Sequence, residues 1–282
     1  MRKILITGGS GFIGKHLVPK LNEVGFEVIS VDSSWGDVSN PSTWVNFPKV
    51  DIVIHLAGKS FVPASWSDPS TFIKCNLLGT IEALNYCKAN KASLIFMSSY
   101  LYGNPLHLPI NEEDTINALN PYALSKQLAE EACRFYCKSF SLDISIIRPF
   151  NVYGIGQPKD FLIPSLISQI KNSNIIKVKD LEPKRDYVYI DDLITAIISS
   201  VNTIKGYKIF NIGSGESYSV AELIQTLQKI AGTNLSIQSL NERRKDEIMN
   251  TVADISKAKL ELNWQPKISL YQGLSTLIEY YS

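Results

Sequence analysis

Cysteine and histidine are scarce in this chain, at four and three copies in 282 residues. Cys75, Cys87, Cys133 and Cys137 form no C-x-x-C pair, so no bound metal is expected. Cys133 and Cys137, four apart in a helical pattern, read as packing residues. An excess of one charge is also lacking: 28 basic side chains face 27 acidic ones, for a net +1. That balance gives no electrostatic footprint for nucleic acid or an anionic membrane. No apolar run reaches membrane-spanning length, and no charged-then-apolar leader precedes the first strand. The expectation is a cytoplasmic protein with reduced thiols. Internal repeats and low-complexity tracts are absent as well.

What is present is rhythm. Short apolar runs at 3–7, 27–31, 51–56, 93–97 and 143–147 read as buried strands. Helical patterns fall between them at about 12–24, 69–90 and 121–140. Such alternation predicts an α/β fold, a Rossmann-type doubly wound parallel sheet whose ligands bind beyond the carboxyl ends of the strands. After Arg148 the rhythm loosens. A helix is expected near 161–171, a strand at 187–190, a helix opened by Asp191 and Asp192, and a last strand at 208–212. The expected division is a dinucleotide domain of 1–153 plus about 186–212, and a small discontinuous substrate domain of about 154–185 plus 213–282.

Gly8, Gly11 and Gly14 fall between the first strand and first helix. Glycine there permits a tight turn and close backbone approach to a pyrophosphate at the helix N-terminus. The spacing is G-x-x-G-x-x-G, so the turn alone is weak evidence. Asp32 strengthens it, ending the second strand where a carboxylate can accept from ribose hydroxyls. A 2′-phosphate would be repelled there, and Ser33-Ser34-Trp35-Gly36 offers no cation to offset it. The reading is therefore NAD rather than NADP. Asp37 and Val38 are candidates to bracket the adenine. Leu56, Ala57 and Gly58 end the third strand at the same sheet edge and let backbone approach the cofactor. His55 reads as a packed histidine rather than a catalyst, and Asn76 as a residue that orients backbone near the site.

Tyr122 and Lys126 lie four apart behind Asn120-Pro121, a suitable N-cap and first helical proline. Both therefore share one helix face. An ammonium beside a phenol favours the phenolate. Such a phenol can pass the proton that accompanies hydride transfer at a nicotinamide. A Y-x-x-x-K pair by itself carries little weight; its position after a strand ending in Ser98-Ser99 gives it meaning. One of those serines would hydrogen-bond the reacting oxygen, and Ser98 is the preferred candidate.

With these residues the chain resembles the extended short-chain dehydrogenases/reductases of the nucleotide-sugar epimerase/dehydratase family. The segments TGGSGFIG, HLAG, CNLLGT, MSSYLYG, NPYALSK, RPFNVYG, RDYVYIDDL, FNIGSG and ADISKAKLELNW carry the likeness nearly end to end. It implies catalysis by Ser98, Tyr122 and Lys126, with Ser99 at the substrate. It implies NAD on Gly8, Gly11, Phe12, Ile13, Gly14, Asp32, Ser33, Asp37, Val38, Leu56, Ala57, Gly58, Asn76, Tyr122, Lys126 and Pro149. Arg185 and Arg244 are implied to meet a substrate diphosphate, and Asn151 the diphosphate or sugar. A homodimer built on the helices after Pro69 and Pro121 is also implied.

The resemblance leaves the reaction open. A 4-keto nucleotide-sugar reductase using NADH is favoured, with a nucleotide-sugar C4-epimerase as the alternative. Sugar 4,6-dehydratases of this family carry an acid one or two residues after the catalytic hydroxyl, where this chain has Ser99 and Tyr100, so dehydration ranks low. A non-catalytic NAD sensor would need no proton relay and ranks lowest.

Overall fold

The computed structural model describes residues 1–242 and 246–281. Five of the apolar runs, with a sixth near the chain's last third, assemble into one parallel sheet. Its strands are β1 (Lys3–Thr7), β2 (Glu27–Val31), β3 (Ile52–His55), β4 (Ser93–Met97) and β5 (Ile144–Pro149), closed at the far edge by a strand at Tyr207–Ile212. The spatial order is β2-β1-β3-β4-β5 and then 207–212. The order reverses beside β1, and the crevice at such a switch point is where this architecture binds ligands.

Both faces of the sheet are covered. The helices Phe12–Glu23 and Ile190–Thr203 pack together on one side, and Gly79–Asn90 with Pro121–Phe140 on the other. This explains why the strands read as continuous apolar runs: β3 is buried at every position, as are the last four residues of β1 and β4. The expected helix over 69–90 is interrupted. Pro69–Ile73 leads into a π-helical turn at Lys74–Leu78 before Gly79–Asn90 continues. Such turns are rare and cluster at functional sites.

Beyond β5 the chain builds smaller sheets that the sequence pattern did not reveal. β6 (Asn151–Tyr153), β8 (Lys184–Tyr189) and β10 (Ser217–Ser219) form one, in the order β10-β8-β6. β7 (Ile175–Val178) pairs in parallel with β11 (Ser236–Ser239), and the strand at 207–212 is therefore β9. The strand expected at 187–190 thus belongs to this side sheet. Asp186 lies fully buried on β8 and accepts from the backbone N–H of Ser214, Gly215 and Ala253, which ties the C-terminal segments to it. One hydrophobic cluster runs from Ile4 and Leu17 through Tyr153 and Ile190 to Trp264 and Leu277. The two parts of the chain share a core.

Candidate active site

Where the carboxyl ends of β1, β3, β4 and β5 meet the side sheet, a cavity of about 560 Å³ opens. Gly8, Gly11, Phe12, Ile13 and Gly14 line one end, and Leu56, Gly58 and Pro149 flank it. The glycines are required by close approach. Gly8 has φ +74°, and a Cβ there would stand 2.8 Å from the Ala57 backbone nitrogen. A Cβ on Gly14 would stand 2.5 Å from the Gly9 carbonyl oxygen. Ala57 lies behind the wall, where its N–H donates to Thr7 Oγ1 at 3.3 Å. At Gly11 only the Gly8 carbonyl is near a would-be Cβ, so its bare backbone faces the cavity at the helix N-terminus. That cradle fits a pyrophosphate.

The carboxylates expected to hold adenosine lie outside the cavity, at the end of β2. Asp32 accepts from the Ser34 hydroxyl at 2.7 Å and its N–H at 3.0 Å, and these bonds hold its carboxyl below the usual range. Asp37 accepts from Ser39 and pairs with Lys74 at 2.9 Å, which brings it down to about 2. Both are charged acceptors at neutral pH. Ser33 is exposed beside them, and Val38 instead packs against Gly79.

Asn76 sits just behind the cavity wall, its Oδ1 2.8 Å from where a Cβ on Gly58 would stand. Its Oδ1 accepts from the Lys59 N–H at 2.8 Å, while Nδ2 donates to the Lys59 carbonyl and the Ser125 hydroxyl. From the π-helical turn it clamps the loop after β3 to the catalytic helix. His55 is packed as expected, with Nδ1 2.7 Å from Thr7 Oγ1; burial first, and Lys126 second, push it down to about 3.

The catalytic helix begins as its sequence dictates. The Asn120 side chain accepts from the Ala123 N–H at 2.8 Å, and Pro121 follows. Tyr122 and Lys126 both line the cavity. Lys126 Nζ donates to the Met97 carbonyl at 2.8 Å and sits 4.8 Å from the centre of the Phe96 ring. Burial lowers it to about 8. Burial raises the Tyr122 phenol, and the Ser99 side chain hydrogen-bonds it and pulls it back. Desolvation, not the lysine, is the larger influence on this phenol, contrary to the sequence reading.

Ser98 and Ser99 both line the cavity at the end of β4. Ser98 is buried, and its hydroxyl donates to Glu130 Oε1 at 2.5 Å.

Arg185 and Asn151 reach the far wall of the cavity from β8 and β6. Arg185 is largely buried, pairs with Glu247, and donates through Nη1 to the Ile248 carbonyl; it is not a solvated surface charge. Asn151 Nδ2 donates to the Asp186 carbonyl at 3.2 Å. Tyr187, two residues along the same face of β8, was not singled out in the sequence. Its buried hydroxyl has no hydrogen-bond partner among the described residues, and it lines both this cavity and a neighbouring one of about 280 Å³. Arg185 and Leu162 also border both cavities. Arg244 lies outside the described residues. Among the described residues there is no cluster of His, Cys, Asp and Glu that could hold a metal, and no helix long and apolar enough to cross a membrane.

Known proteins share this fold. A GDP-6-deoxy-D-mannose reductase from Pseudomonas aeruginosa is 31% identical, over 98% of this chain and 96% of its own. The solved structure of RMD from Pseudomonas aeruginosa, complexed with NADPH, superposes with a TM-score of 0.92 at 30% identity, covering 99% of this chain and 98% of that one. UDP-glucose 4-epimerase from Thermotoga maritima, with UDP-glucose, gives 0.91 at 28% identity, covering 99% and 98%. Residues 4–213 match the NAD dependent epimerase/dehydratase family. The likeness runs along the whole chain, which belongs to the NAD-dependent epimerase/dehydratase family of short-chain dehydrogenase/reductase enzymes.

Proposed function

We propose that this enzyme transfers hydride at C4 of a nucleotide-diphosphate sugar, acting as a reductase of a 4-keto, commonly 6-deoxy, sugar. The observation that carries C4 redox chemistry is the convergence of Ser98, Tyr122 and Lys126 in one cavity with the Gly8–Gly14 cradle. When bound, NADH supplies the hydride. Gly8, Gly11 and Gly14 hold its pyrophosphate and Asp32 its adenosine ribose, with Ser33 and Asp37 at the rim. Asp32 and the lack of a neighbouring cation in 33–36 favour NAD over NADP.

In this reading the Ser98-Ser99 pair supplies the hydroxyl that donates to the C4 oxygen and aligns it with Tyr122, with Ser98 as the preferred residue. The phenol, kept protonated by burial, delivers its proton to that oxygen as it gains charge. Lys126 holds the nicotinamide ribose and compensates the phenolate that remains. Arg185 and Asn151 meet the diphosphate, with Arg244 as a further candidate. After either serine the next two positions, Ser99 and Tyr100 or Tyr100 and Leu101, hold no carboxylic acid for water elimination.

The exposed segment around Ser33 and Trp35 supports the reductase over the epimerase. It leaves the adenosine end open to solvent, which suits a cofactor exchanged at every turnover. The epimerase is the second reading, since the same residues serve it and UDP-glucose 4-epimerases are among the relatives. Purified protein mixed with NADH and a 4-keto-6-deoxy nucleotide sugar decides between them. Stoichiometric loss of reduced-nicotinamide absorbance supports the reductase; C4 inversion of a nucleotide sugar without net cofactor change replaces it with the epimerase.

The cavity lies where the proposed dinucleotide domain meets the proposed substrate domain of about 154–185 plus 213–282. A homodimer is proposed on Leu124, Leu128 and Phe135, exposed along one face of the catalytic helix. Light scattering of the purified protein measures it.

A further inference from the structure

Two residues on the cavity wall carry a buried polar atom with no hydrogen-bond partner among the described residues: the Tyr187 hydroxyl and Gln157 Oε1. Folded proteins leave few such atoms unpaired, because each gave up water when it was buried. The two differ in what they can receive. A phenol turns its O–H to donate or to accept, so it selects nothing by polarity. An amide oxygen only accepts.

Gln157 is locked at its other end. It closes the turn after β6, its N–H donating to the Gly154 carbonyl at 3.3 Å, and only 9% of the residue is exposed. Its Nε2 donates to the Val152 carbonyl at 2.8 Å, which folds the side chain back on its own strand. A flipped amide would set two oxygens against each other there, so that carbonyl decides which end of the amide is left over. β6 is fixed in turn by β8, with Val152 opposite Val188 and Asn151 opposite Tyr187. The unmet acceptor is therefore mounted on the same small sheet as Asn151 and Tyr187.

We propose that Gln157 is a specificity-determining residue whose Oε1 accepts from a ring hydroxyl of the sugar; the inference rests on the nucleotide-sugar reading above. An acceptor with no proton of its own needs an O–H or N–H opposite it. Ionised phosphate and keto oxygens offer none, so neither the diphosphate nor the reacting C4 oxygen fills this place. Gln157 stands on the sugar side of the cavity. Pro158 and Leu162 continue its wall, and Leu162 and Arg185 border the neighbouring cavity, whose lining includes none of the cradle glycines. In a 6-deoxy sugar joined through C1 and engaged at C4 by Tyr122, the hydroxyls left are those at C2 and C3. The site takes a sugar that keeps one of them free, and an analogue lacking it leaves the oxygen unpaired.

Calorimetry with NADH present tests this, since the reduced cofactor cannot pass hydride to a sugar that is already reduced. The probes are GDP-6-deoxy-D-mannose and UDP-glucose, each with its 2-deoxy and 3-deoxy form. For the sugar that binds better, one deoxy form is expected to bind the wild-type protein about tenfold more weakly than its parent. Gln157→Met is expected to cost the parent sugar the same factor and that deoxy form nothing further, with NADH affinity within about twofold. Equal binding of the parent and both deoxy forms to the wild-type protein overturns the proposal, even if Gln157→Met fails to fold. An equal loss for every form in Gln157→Met overturns it too, since that is general disruption. A loss of NADH affinity alone assigns the oxygen to the nicotinamide amide and overturns it as well. If neither nucleotide sugar binds, the nucleotide-sugar reading falls and the proposal with it. The selective pattern in a protein that transfers no hydride supports the Gln157 contact and defeats the reductase reading.

Discussion

The two ends of the cavity recognise by opposite means. At the cofactor end, recognition is built from bare backbone and from carboxylates at the surface. Asp32 and Asp37 keep their charge because serine hydroxyls and N–H groups bond it. At the catalytic end burial pushes three groups toward their neutral forms: Tyr122 up, Lys126 down to about 8, His55 down to about 3. The first end needs fixed charge to hold a partner that comes and goes. The second needs groups that a small change at the reacting oxygen can tip, and desolvation supplies that poise.

Substitutions can break this contrast. Tyr122→Phe removes the proton donor from the dry end, and kcat should fall by about 10²- to 10⁴-fold while NADH affinity holds; stopped-flow hydride transfer beside a binding titration separates the two. Arg185→Ala should raise the KM for the nucleotide sugar by about tenfold, leaving kcat at saturation nearly unchanged, as steady-state kinetics would reveal. Asp32→Ala, at the wet end, should weaken NADH by about tenfold and narrow its advantage over NADPH. Fluorescence titration with both cofactors measures that ratio.

The same contrast reaches stability. His55 titrates near 3 in the folded protein against about 6.5 when unfolded, so the unfolded chain takes up the proton first. Above pH 6.5 neither state is charged, and the histidine contributes no pH dependence. As pH falls from 6.5 toward 3, stability should drop by up to about 1.4 kcal/mol per pH unit from this group. Urea denaturation at pH 7, 6 and 5 should give a flatter dependence for His55→Asn. Lys126 has the same sign at the other end of the scale. Its lowered folded pKa makes its contribution improve as pH rises from about 8 to 10.5, a gain that Lys126→Met should lack.

The sheet and the cradle were legible because they rest on local pattern. The strands at 3–7, 27–31 and 93–97 follow from apolar runs whose ends the turn residues mark. The glycines between β1 and its helix follow from backbone crowding that only a missing Cβ relieves. The side sheets were not legible. β6 and β10 are three residues long, too short for an alternating pattern to emerge, and β8 pairs with segments far away in the chain. Glu130 on the catalytic helix carries no signal in the sequence that marks it as buried. Only the arrival of β5 beside that helix buries it against Arg148.

The chain's order of glycines, Asp32, the serine pair and the Tyr122–Lys126 pair determined by itself that a dinucleotide and a proton relay share one sheet edge. Spacing along a strand or helix fixes which residues can share a face, and that geometry is local. The tertiary structure alone decided that burial governs the phenol's titration. It also decided that Tyr187 and Arg185 stand together on the wall. Those outcomes depend on which surfaces lose water when distant segments pack, and no run of neighbouring residues encodes the desolvation of a site.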